Sequence, residues 1–264
     1  MFRSLLLLIL SVLSLPLAAM DLRQFLATTS QITSAGRYAE ALERTQWFHH
    51  NAQSQGPAAM ALRLQESLEI WRQLALVYPP AHQTLVQQRD QTSRTLGNPK
   101  VRNLDLFLEF RDLAAINRAL GQTSHTVETL EWLRHARLDT AAYQPLLWNV
   151  SKDAVIASRR TDLLQLYVPD TEVEFQRLLQ QWDESIRLIP QTPALLPPSN
   201  TTSQTLATSA QQVFVGQCLD LMEICHALGD HHQAATIQAR AMAIVQDPKL
   251  RQIIKTSSSS LSLP

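Results

Sequence analysis

Apolar residues return every three or four positions along this chain. Tyr38, Ala41, Leu42, Phe48 and Ala52 share one stripe, as do Leu64, Leu68, Trp71, Leu74 and Tyr78. The same spacing runs through Leu106, Phe110 and Leu113, through Phe175, Leu178, Trp182 and Ile186, and through Phe214, Cys218, Leu221 and Cys225. It lays apolar side chains along one face of an α-helix, whereas a half-buried strand alternates every second residue. Only Leu166-Tyr167-Val168 and Val213-Phe214-Val215 look β-like, and neither alternates for long. The pattern predicts about eleven helices. They cover residues 21–35, 38–55, 58–77, 80–96, 100–120, 124–137, 140–157, 160–167, 171–189, 205–228 and 231–246.

The residues between the stripes agree. Gly36, Gly56, Gly97, Gly121 and Gly229 fall in the gaps, and only Gly216 lies inside a stripe. Gly56-Pro57 and Gly97-Asn98-Pro99 set a helix stop beside a residue that can begin a helix but not continue one. Asp170 or Thr171, with Glu174 three residues after Thr171, reads as a capping box. One phrase recurs at Ala35-Gly36-Arg37, Leu120-Gly121-Gln122 and Leu228-Gly229-Asp230: an apolar helix ends on glycine and another helix starts at once. Such a turn folds two helices antiparallel, and helix pairs in series predict an all-α solenoid. Four prolines in residues 190–204 predict a loop there, and the serine-rich residues 251–264 predict a flexible tail. A single repeat domain is expected over residues 20–250.

The segments around these glycines resemble tetratricopeptide repeats. Gly36-Arg37-Tyr38-Ala39-Glu40-Ala41-Leu42 matches the turn of that family, with Phe25 as the large aromatic of the preceding helix. Around Gly229, Asp230, Ala234, Ala241 and Leu221 fit the pattern; around Gly121, Phe110, Leu113 and Leu130 fit, while Thr126 replaces the usual alanine. Thr29 and Met222 stand where the family prefers a small residue, and Arg159-Arg160-Thr161 stands where a glycine turn would fall. The resemblance implies antiparallel helix pairs whose first helices line a concave face that takes a protein or peptide. The run from Trp47 to Ala52, with Tyr78-Pro79-Pro80-Ala81, is also similar to an uncharacterised group of exported bacterial proteins that brings no activity with it.

Residues 1–19 change the picture of where the protein works. Arg3, the apolar run Leu5 to Leu15 and the small residues Ala18 and Ala19 read as a signal peptide cut before Met20, which predicts a periplasmic or secreted protein with no stable membrane insertion afterwards. Lysine plus arginine and aspartate plus glutamate each number 23 and are mixed along the chain, which leaves no electrostatic footprint for nucleic acid. Cys218 and Cys225 are the only cysteines. On one helix they lie about 10 Å apart, beyond disulfide reach, and read as buried apolar fillers.

Candidate chemistry is sparse. The sequence has no phosphate loop, nucleophile elbow or paired-histidine zinc helix. Cys225 and His226 with His231 and His232 are the best metal candidates, but neighbouring residues diverge around a helix, as do His49 and His50. No cofactor or metal is expected. Asp105, Glu109 and Asp112 read as a solvated face. Arg111, Arg118, Arg134 and Arg137 offer a carboxylate or phosphate site on the concave side, with Glu128 and Glu131 as competing partners. Trp47 falls off its helix's apolar stripe, so its ring is expected to face outward as a binding anchor, with Tyr78 as a second.

These readings combine into one expectation: a non-enzymatic, exported tetratricopeptide-like scaffold binding a protein or peptide partner, with Trp47, Tyr78, Arg111, Arg118 and Arg134 as contact residues. The alternative is an α-helical domain that takes a small ligand or carbohydrate, and an enzyme ranks below both.

Overall fold

The computed structural model describes residues 22–137, 142–188 and 200–261. The expected leader at 1–19 and most of the expected loop at 190–204 lie outside them. The described residues are helical throughout, with turns between and no strand. No helix among them is long and apolar enough to cross a membrane.

Helix α1 covers 22–34 and α2 covers Tyr38–Asn51, closed by a 3₁₀ turn at Ala52–Gln55. Helix α3, Pro57–Leu62, runs through a π-turn at Arg63–Ser67 into α4, Leu68–Val77. Then come α5 (Pro79–Leu96), α6 (Asn103–Ala119), α7 (Thr123–Ala136), α8 (Gln144–Ala157) and α9 (Thr161–Tyr167). The chain continues with α10 (Thr171–Leu188), α11 (Asn200–Ala227), α12 (His231–Ile244) and α13 (Pro248–Leu261).

The glycine turns share one hydrogen-bond pattern. After α1, Gly36 N–H donates to Thr33 C=O at 3.0 Å and Arg37 N–H to Ile32 C=O at 3.1 Å. This pair of bonds satisfies two carbonyls the helix end leaves open, and it needs a left-handed residue at the turn. Gly36 supplies it at φ +76°. The turns at Gly121 and Gly229 repeat both bonds. A fourth copy follows α8, where Arg159 N–H bonds Ile156 C=O and Arg160 N–H bonds Val155 C=O. There an arginine takes the left-handed place, at φ +51°.

Two compact units divide the chain, one ending at Ser151 and one beginning at Lys152. The sequence reading expects one domain because the division falls inside α8, where neither glycine nor proline marks it. In the first unit α2 packs on α4, α4 on α5, α5 on α6 and α6 on α7, and α4 also reaches α6. One core joins Ile32, Leu42, Trp71, Leu74, Leu85 and Ile116 from α1, α2, α4, α5 and α6, and another joins Leu26, Phe48 and Leu62. Trp71 meets the polar demand of its buried indole by donating Nε1–H to Ala81 C=O at 3.0 Å.

In the second unit α11 packs against α10, α12 and α13, and α12 packs on α13. Phe175, Phe214, Leu221, Met222 and Ile237 are buried there. Cys218 and Cys225 are buried and free; burial pushes the Cys218 thiol up to about 12 and that of Cys225 to about 11. Glu172 ties α10 to α12 by accepting from Gln233 at 2.7 Å and Arg240 at 3.1 Å.

Two expectations are corrected here. Helix α11 opens at Asn200 rather than at 205, so the end of the expected loop is helical. The stretch expected to be a flexible tail from 251 lies largely within α13. Asp247 caps that helix, its Oδ1 accepting from Lys249 N–H at 2.7 Å, and Pro248 fills the first helical position. Leu250 and Ile254, one turn apart, bury its inner face.

Candidate functional site

A groove of about 720 Å³ lies in the first unit. Three helices far apart in sequence make it. Helix α1 contributes Arg23, Leu26, Ala27 and Ser30, spaced so that they share one helix face. The π-turn and α4 contribute Leu64, Glu66, Leu68 and Glu69, among others, and α6 contributes Ala115, Arg118 and Ala119. Leu26, Leu68 and Ala115 are buried and form an apolar floor.

The rim is charged. Arg72 grips Glu69 with two bonds, Nε to Oε2 at 2.8 Å and Nη2 to Oε1 at 2.7 Å, and Gln73 adds a third at 2.7 Å. These bonds, that of Arg72 foremost, hold the Glu69 carboxyl down at about 2. Arg23, Arg118 and Glu66 line the same groove without an ion pair among the described residues.

Behind the groove the π-turn carries a buried polar network. Arg63 donates to Asp112 of α6 through Nη2 and faces His49 of α2 through Nη1, 3.3 Å from Nε2. A π-turn adds a residue to the helical repeat and so rotates the residues after it around the axis. Here one short segment sends Arg63 and Ser67 inward while Leu64 and Glu66 meet the groove. Burial, then Arg63 and His50, push His49 down to about 3. Glu109 is pushed up, by burial first and the Asp112 charge second. Asp112, expected on a solvated face, therefore sits in a largely buried ion pair.

The residues singled out from sequence scatter. Arg118 lines the groove. Trp47 is 49% exposed, as its position off the stripe implies, but its ring lies against Phe25, 5.2 Å between centroids, and does not line the groove. Tyr78 pairs with Tyr38 at 5.9 Å and packs against the core. Arg111 lies 3.5 Å from Asp112. Arg134 is half-buried on α7. Sequence reasoning missed Arg23, Glu66 and Arg63. The spacing of Arg23, Leu26, Ala27 and Ser30 was the available signal for the first.

At the Gly229 turn His226 and His231 point ring nitrogens at each other, Nδ1 to Nδ1 at 3.0 Å. That is a shared-proton contact between two imidazoles. Among the described residues no group of three or more metal-ligating side chains is gathered.

No family model, curated protein or solved structure matches this chain.

Proposed function

We propose that this protein is an exported, non-enzymatic scaffold of tetratricopeptide-like helix pairs, periplasmic or secreted, that binds a protein or peptide partner in the groove of its first unit. The observation that carries the reading is which helices line that groove. They are α1, the α3–α4 helix and α6, every second rod of the series, while α2 and α5 contribute nothing to its wall. A row of helix pairs presents its first helices to one side in this manner. The fourth turn at Arg159 adds support, because it splits the interval from Gly121 to Gly229 into steps of roughly one and two repeat lengths of about 34 residues. Export rests on the leader pattern of residues 1–19.

A photo-crosslinking residue at Ala27, exposed and on the groove wall, tests the reading against the same residue at Trp132, which is exposed elsewhere. Incubated with envelope and secreted fractions of the native host, position 27 is expected to give discrete protein or peptide adducts that position 132 does not. Equal labelling at both, or none at 27, would overturn it.

One observation favours the carbohydrate reading as an additional activity. A pocket of about 450 Å³ in the second unit has Trp182 packed on the buried Phe214, 5.2 Å apart, with Gln181, Gln217, Ser185 and Glu184 around them. A tryptophan face beside amides, a hydroxyl and a carboxylate suits a sugar ring. Titration with chitooligosaccharides should quench tryptophan fluorescence in the wild type and not in Trp182→Leu; identical responses would remove this reading.

A further inference from the structure

We infer that the occupant of the first-unit groove is a short extended peptide segment of mixed charge, with its acidic group held by Arg23 and Arg118 and its basic group by Glu66. The inference rests on the groove reading above and adds the chemistry of the partner. Five charged side chains line the groove, and two of them cancel: Arg72 and Glu69 are joined by two short bonds, with Gln73 completing the carboxylate. Three remain without an ion pair among the described residues, the cations Arg23 and Arg118 and the anion Glu66.

A guanidinium has only donors, arranged in a fork that matches a carboxylate. Two of them on the rim therefore call for acidic groups. Glu66 calls for a cation. A polyanion of one sign, such as a nucleic acid or an anionic lipid headgroup, would satisfy the arginines but meet the unpaired carboxylate of Glu66, and like charges brought together oppose binding. A peptide carries both signs within a few residues. It also carries the side chains that the floor of Leu26, Leu68 and Ala115 would bury. The volume of about 720 Å³ falls in the range of ligand-sized sites, which fits a short segment rather than a folded surface.

The probe is a set of fluorescein-labelled pentapeptides, acetylated and amidated at their ends, holding two Leu, one Ala, one Asp and one Lys in every order. Parallel sets replace Asp by Asn, Lys by Gln, or both. Binding is followed by fluorescence anisotropy with the full mature chain and with Arg118→Glu and Glu66→Lys, both exposed positions whose folding is checked by circular dichroism. At least one mixed-charge order is expected to bind roughly ten-fold tighter than its neutral counterpart, as a charge-assisted bond implies. Arg118→Glu should erase the preference for Asp, and Glu66→Lys the preference for Lys. Binding that ignores charge, or a preference for Asp alone that Glu66→Lys leaves intact, would overturn the mixed-charge inference and leave the groove reading standing. Absence of binding by every set would overturn both.

Discussion

His49 accepts a hydrogen bond from Arg63: the guanidinium Nη1 lies 3.3 Å from the imidazole Nε2, and both residues are buried. A guanidinium only donates, so Nε2 carries no proton and the single ring proton resides on Nδ1. Trp71 packs on the ring edge to face, with centroids 5.5 Å apart, and the buried Nδ1 has no hydrogen-bond partner among the described residues. A second ring proton would point straight at a fixed positive charge, inside a pocket that already penalises charge. The network is therefore a neutral histidine holding one side of a buried ion pair.

This fixes the sign of a pH effect. The unfolded ring takes its proton near 6.5, whereas the folded ring resists it down to about 3. Through that window the unfolded state binds more protons, so stability from His49 is complete above pH 6.5 and is lost as pH falls, at about 1.4 kcal/mol per pH unit. His49→Gln keeps an acceptor for Arg63 but cannot titrate. Urea unfolding between pH 7 and pH 4 should show the wild type losing stability faster than the variant by about that slope. Parallel curves would contradict the neutral, locked ring.

Asp112 is the counter-ion of the same network, and its removal strands Arg63. The cost of leaving one partner of a buried pair uncompensated is about 3–5 kcal/mol, whereas replacing both by apolar groups is often neutral. Asp112→Ala is expected to lose about 3 kcal/mol in urea unfolding, since both side chains keep some contact with solvent. The double variant Arg63→Met, Asp112→Leu should return to within about 1 kcal/mol of the wild type. A double variant as unstable as the single one would show that the charge pair itself is required.

Much of the fold is legible in the residues, and the failures have physical causes. Three of the four turns of this kind announce themselves because glycine occupies the left-handed position; the fourth is marked only by its place in the series, because Arg159 holds that position and nothing in an arginine marks the conformation. The π-turn is hidden because Leu64, Leu68 and Trp71 keep ordinary helical spacing across it. In the tail, Asp247-Pro248 and the pair Leu250 and Ile254 carry a helix signal, but serine composition outweighs it. At the groove only Arg118 is legible, since it belongs to a visible basic set. Arg23 and Glu66 gain meaning only when helices distant in sequence come side by side, which periodicity within one helix cannot report.

Arg159 supplies a test of the turn. Left-handed geometry costs an ordinary L-residue roughly 1–2 kcal/mol, while glycine enters it freely. Arg159→Gly is therefore expected to stabilise the protein by about 1 kcal/mol, even though it removes a large side chain. Gly229→Ala, in the same conformation at φ +81°, should cost about as much. Denaturant midpoints for the two variants should move in opposite directions. Destabilisation by Arg159→Gly would mean that the arginine makes a contribution larger than its strain.

The last prediction concerns α13. Ile254 is fully buried, and its backbone carbonyl accepts from Gln238 of α12 at 3.0 Å, so the helix is held by side chain and main chain together. Its neighbour Ile253 is 46% exposed. Truncating a buried isoleucine to alanine costs about 2–5 kcal/mol, through lost transfer energy and the cavity left behind. Ile254→Ala should fall in that range and Ile253→Ala below about 1 kcal/mol, an asymmetry that a frayed tail would not produce. Hydrogen exchange gives the same contrast without mutation: amides near Ile254 should exchange more slowly than those of an unstructured serine-rich segment. Equal, small effects at both isoleucines with fast exchange would undock α13 from the second unit.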